Sequence, residues 1–269
     1  MSPRPLLVVV LALVLAGCAA LPGSHVSTVT TRCAIENCDL VALASEVTLA
    51  DYRGEIANLD LLAGRLGDWL AKHPGDLDAR YWRGFARWRQ ALNKMNEGGV
   101  REDVEPILLS AVSEFETLLE ARPGDIEAHV GVLGALGARL VLAAGDAEVR
   151  SDAFKRGGKS LVLLRDAART NLRAAWVYGL AMYGGADSPA DRKAAATRIL
   201  RDALANAAPS SGLPLAPQWG KPEVTSSLAW MLQDQNGPNE ESRALMVVVL
   251  KLRPDWRYAR DTLAPRITK

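Results

Sequence analysis

The chain has few soft metal ligands: its 269 residues hold three cysteines and three histidines. His25, His73 and His129 are scattered and form no HxxxH pair, which argues against a zinc-stabilised fold; no metal site is expected. A dominant charge sign is also missing, with 32 Lys and Arg against 31 Asp and Glu. No net field therefore recruits nucleic acid, and no such partner is expected. Apolar runs long enough to cross a bilayer as a helix do not occur, and no convincing apolar–polar alternation marks a strand. The motifs G-x-S-x-G and H-E-x-x-H and a recognisable pair of carboxylates are absent. Gly157-Gly158-Lys159-Ser160 looks like the tail of a phosphate-binding loop, yet Ala153 stands where that loop needs Gly and no strand precedes it. The segment reads as a helix kink or turn. No catalytic residue, no cofactor and no enzymatic activity are expected.

What the chain does have begins at its N-terminus. Arg4 precedes the apolar run Leu6 to Leu15, too short for a membrane span and suited to the core of an export signal. The run ends in Leu15-Ala16-Gly17-Cys18, which resembles the lipobox of bacterial lipoproteins. That resemblance implies acylation of the Cys18 thiol and cleavage before it, leaving a multi-acyl anchor strong enough to hold the chain on a membrane. Ala19 stands where such proteins carry Asp when kept in the inner membrane, so the resemblance implies an outer-membrane anchor facing the periplasm. Residues 1–17 read as the signal peptide and residues 18–37 as a lipidated tether, small and rich in Ser and Thr, with Pro22 and Gly23. Cys33 and Cys38 follow in what would be an oxidising compartment; an intrachain disulfide is expected there, with free thiols as the alternative.

From Cys38 to the end, residues 38–269, the pattern is helical. Leu59, Leu62, Leu66 and Trp69 share one helix face, as do Tyr81, Phe85, Trp88 and Leu92, and Val104, Leu108, Ala111, Phe115 and Leu118 repeat the spacing. Pro, Gly and Asp or Ser interrupt these stretches where one helix stops and the next is capped. Two breaks match: His73-Pro74-Gly75-Asp76-Leu77-Asp78-Ala79 and Arg122-Pro123-Gly124-Asp125-Ile126-Glu127-Ala128, 49 residues apart. Arg253-Pro254-Asp255-Trp256 repeats the junction, and Thr170-Asn171-Leu172 is a version without Pro. This layout resembles tetratricopeptide (TPR) repeats. Gly84 falls where that family places a small residue, while Arg80, Arg83 and Arg87 fall on its large packing positions. The combination of lipobox and irregular hairpins also resembles, in layout, the lipidated repeat proteins that accompany TRAP-type solute transporters.

The fold expected is all-α, a TPR-like α-solenoid of roughly four or five irregular hairpins stacked side by side, with an extended concave face. Two surface features stand out. Arg80, Arg83 and Arg87 line one helix face, either a basic stripe for an acidic partner or a plain solvated face. Trp219 lies in the proline-rich stretch from Leu213 to Pro222, either exposed for contact or folded back on a helix. The function that follows is non-catalytic: a scaffold or assembly factor presenting its concave face to an envelope protein or peptide segment. The alternative is a solute-binding accessory of a transporter that holds a small apolar or anionic molecule between hairpins.

Overall fold

The computed structural model describes residues 35–184, 188–209 and 211–268. Cys18 and Cys33 lie outside them, and with them the expectations of lipidation, of the signal peptide and of the disulfide. Ten helices of twelve residues or more follow in order: α1 (Ile35–Arg53), α2 (Ile56–Lys72), α3 (Leu77–Asn96), α4 (Arg101–Ala121), α5 (Ile126–Leu142), α6 (Ala147–Ala167), α7 (Leu172–Tyr183), α8 (Ala190–Asn206), α9 (Lys221–Asn236) and α10 (Glu240–Leu252). A π-helical turn (Ala259–Leu263) and the short α11 (Ala264–Thr268) close the chain, and there is no strand among the described residues.

The repeated junctions set where odd-numbered helices begin. Asp76 accepts the Ala79 N–H at 2.9 Å to cap α3, and Asp125 accepts the Ala128 N–H at 3.1 Å to cap α5. Asn171 caps α7 through the N–H groups of Arg173 and Ala174. Each cap satisfies donors that a helix start leaves without an internal partner. Gly84 sits where α3 comes closest to α4: a Cβ there would lie 3.1 Å from Phe115. A small residue at this position lets the two helices of the hairpin meet.

Consecutive helices pack on each other, and α1, α3, α5, α7 and α9 also pack in series. No comparable series joins the even-numbered helices, so the odd-numbered set forms the inner layer of a TPR-like hairpin array. The array curls until its ends touch. Tyr52 of α1 meets Trp256 edge-on at 5.4 Å between centroids, and the Arg253 guanidinium lies 3.8 Å from the Tyr52 ring centre. Arg257 pairs with Glu97 at 3.2 Å.

Gly157-Gly158-Lys159-Ser160 is not a turn in this fold: it lies inside the continuous helix α6. A Cβ on Gly157 would lie 3.4 Å from Leu136 and 3.5 Å from Leu133 of α5, and Ser160 Oγ is 2.9 Å from Nδ1 of the buried His129. Packing against α5 holds the helix together through two residues whose intrinsic helix preference is poor by about 1 kcal/mol each.

Candidate functional site

The expected concave face is not free. The odd-numbered helices converge on Arg89 of α3, whose guanidinium lies 5.4–5.6 Å from the ring centres of Phe85, Trp88, Trp176 and Trp219. Its Nε donates to Asp51 at 2.7 Å and its Nη2 to Glu223 at 3.3 Å. Tyr52 donates its hydroxyl to Glu223 at 2.8 Å, and Asn93 donates to Asp51 at 3.0 Å. Burial works against the Arg89 charge, but Asp51 and then Glu223 outweigh it and raise its pKa. Burial pushes the Asp51 carboxyl above its usual range against the pull of Arg89. Burial, then the Glu223 charge, raises the Tyr52 hydroxyl, which stays a donor. This cluster joins α1, α3 and α9 across the inner face.

Trp219 belongs to that closure. It is 2% exposed, so the reading of an exposed contact residue gives way to the alternative in which it folds back. Its ring packs on Phe85, Trp88 and Trp176, and its Nε1 donates to the Tyr81 hydroxyl at 3.3 Å. The proline-rich stretch is fastened at two carbonyls, Leu215 by Trp82 Nε1 and Trp219 by Arg173 Nη1, both at 3.0 Å.

Each of the three arginines is partly exposed and ion-paired within the fold. Arg80 and Arg83 both pair with Glu114 of α4, at 2.9 and 3.2 Å, and Arg87 pairs with Asp60 of α2 and donates to Gln90. Three basic charges thus meet two carboxylates of the neighbouring helices, Glu114 being shared by Arg80 and Arg83.

The feature left open lies elsewhere, between the α5/α6 hairpin and α7. A cavity of about 390 Å³ is walled by Leu133, Gly137 and Leu140 of α5, Leu161 of α6 and Leu180 of α7, with Trp88 of α3 also in its wall. It exists for two reasons. First, α7 has 12 residues against 21 in α6, about 18 Å against about 31 Å of helix, so α6 runs past its neighbour. Gly184, at φ 68°, ends α7 in a conformation that favours glycine. Second, a Cβ on Gly137 or Gly158 would meet nothing within 4 Å.

Polar groups in the cavity wall are few. Trp176 Nε1 is committed to Ser227 Oγ at 2.9 Å, whereas the buried Nε1 of Trp88 has no hydrogen-bond partner. Among the described residues Arg192 supplies the one charge in the lining. Phe154, 63% exposed, together with the exposed Ala181 and Arg192, marks where the wall reaches solvent. Apolar walls with a few placed polar groups are the usual composition of a small-molecule site. Among the described residues no group of three His, Cys, Asp or Glu could hold a metal ion, and no helix is long and apolar enough to cross a membrane.

Arg89 could have been noticed from sequence, since it stands four residues after Phe85 on an otherwise apolar face. Glycines at 131, 134 and 137 recur every third residue of α5 and were the signal for close approach on that side. Nothing in the sequence told which of them would face a ring and which a void.

No protein-family model and no curated protein matches the chain. Among solved structures, a thermophilic TPR protein from Thermus thermophilus is similar in fold: the TM-score is 0.54 at 18% identity, over 86% of this chain and 99% of that one. The likeness establishes a TPR-like helical array and carries no site residues across.

Proposed function

We propose that the chain is a non-catalytic, lipid-anchored protein of the bacterial envelope that holds a small apolar molecule between two hairpins, as a solute-binding accessory component of a transporter. The observation that carries this reading is the apolar cavity of about 390 Å³, in an array whose concave side is otherwise filled by its own side chains. Leu15-Ala16-Gly17-Cys18, with Ala19 after it, supports the anchor and an outer-membrane position facing the periplasm. The scaffold reading stands second. It rests on the general use of helical-repeat surfaces in protein contact, and it moves that contact to the outer helices, where Val247, Val248 and Leu252 of α10 are exposed.

The test is titration of the full chain with N-phenyl-1-naphthylamine, a neutral apolar dye that brightens out of water. Saturable binding is expected, weakened at least about tenfold in Gly158→Leu, whose side chain enters the cavity, with a melting temperature no lower than that of the wild type. Equal dye binding by both proteins overturns the cavity reading. Absence of dye binding together with a stoichiometric protein co-purifying in mild detergent favours the scaffold. For the anchor, Cys18→Ser is expected to leave an uncleaved precursor outside the detergent phase, and unchanged partitioning overturns it.

A further inference from the structure

Taking the cavity as a ligand site, we infer that its ligand is a single-chain amphiphile with one carboxylate head, the chain lying along α5, α6 and α7 and the head at Arg192. The walls specify the chain. Among the described residues, apart from the two indole N–H groups, the side chains around the cavity are apolar until the mouth, where Arg192 brings the one charge. About 390 Å³ is at the small end of the roughly 300–1,000 Å³ typical of ligand sites, which suits one chain better than two.

The head is specified by how Arg192 is held. Its Nε donates to the Met182 carbonyl at 2.7 Å and its Nη2 to the Ala181 carbonyl at 3.3 Å. Two bonds to the end of α7 fix the guanidinium beside the mouth before any ligand arrives, so little side-chain freedom is lost on binding. Among the described residues Nη1 has no hydrogen-bond partner and no carboxylate lies within ion-pair distance of Arg192. An anion completes this arrangement with a charge-assisted hydrogen bond. The same α7 carbonyls carry the negative end of the helix dipole toward the site, which disfavours a doubly charged phosphate monoester more than a singly charged carboxylate.

The experiment uses the full chain in discs of zwitterionic lipid, with empty discs as the blank, and measures displacement of the naphthylamine dye by decanoate, decanol, decyl phosphate and decyltrimethylammonium. Decanoate should displace the dye at about fivefold lower concentration than decanol, the size of a good ion pair at an exposed rim. Arg192→Gln should level the two, while Arg192→Lys keeps the order; a role confined to capping α7 would leave the order intact in all three proteins. Bromine near the methyl end of decanoate should quench tryptophan emission in the wild type and fail to do so in Gly158→Leu, because Trp88 and Trp176 border the cavity. Equal displacement by decanoate and decanol, or a preference that survives Arg192→Gln, overturns the head assignment and leaves the apolar site standing. Decyl phosphate displacing more strongly than decanoate overturns the carboxylate. Failure of every chain, with no effect of Gly158→Leu on the dye, overturns the site itself.

Discussion

The inner face of the curl and the cavity beside it share walls, since α3, α5 and α7 contribute to both, yet one is filled and the other is not. On the filled side, glycine is paired with a ring: a Cβ on Gly131 would lie 2.4 Å from Phe115, and one on Gly134 would lie 2.2 Å from Trp88. On the open side, Gly137 and Gly158 face no atom within 4 Å. The same residue type thus brings an aromatic ring against the backbone in one place and leaves room in another. What separates the two regions is polar content. The filled region buries two carboxylates around one arginine, and hydrogen bonds from Tyr52 and Asn93 hold the same carboxylates. The open region buries almost no polar atoms, so an apolar molecule can enter without breaking a bond.

The sharpest way to break the comparison is to unlock the filled side. Arg89→Met removes the cation from between Asp51 and Glu223, leaving buried carboxylates without their partner; removing one member of such a set costs about 3–5 kcal/mol. Chemical denaturation at neutral pH should show a loss of that size. The pH dependence has a definite sign. Burial already raises Asp51, and losing Arg89 raises it further, so its folded-state pKa lies above the unfolded one. A group of this kind favours folding below its unfolded pKa, and the benefit is lost as pH rises through the folded value. The penalty in Arg89→Met should therefore shrink as pH falls from neutrality toward the ordinary carboxylate range. A loss under about 1 kcal/mol, or one that grows on acidification, means the cluster does not lock the curl.

Much of the fold was legible because its causes are local. The Pro-Gly-Asp junctions place a capping carboxylate before α3 and α5, and helical spacing of Leu, Phe and Trp gives the buried faces, so the hairpin array follows from short stretches of chain. The site was not legible, because its causes are distant in sequence. Trp219 reaches the inner face only when Arg173, 46 residues earlier, fastens its carbonyl. Arg80 and Arg83 look like a surface stripe until Glu114, on the next helix, takes both. The cavity depends on the unequal lengths of α6 and α7, a difference of a few turns set by Gly184.

The smallest effect gives the finest discrimination, and it comes from adding one methyl group at matched glycines. Gly134→Ala forces Trp88 to shift, and that ring is hemmed in by Phe85, Trp176 and Trp219, with centroids 5.8–6.1 Å away. Overpacking of this kind costs about 1–3 kcal/mol. Gly158→Ala meets open space inside α6, so only the backbone term acts: alanine restricts the unfolded chain and favours the helix, stabilising by about 0.5–1 kcal/mol. The two variants make the same chemical change on facing helices and should move the melting temperature in opposite directions. The methyl group that Gly158→Ala adds also narrows the cavity, so dye affinity should fall modestly even as stability rises, a combination that loss of folding cannot produce. Should both variants destabilise, α6 packs more closely over the cavity than described and the void is not there to be filled. Should Gly134→Ala prove neutral, Trp88 is free to move, and the distinction between a closed inner face and an open cavity fails at the residue the two share.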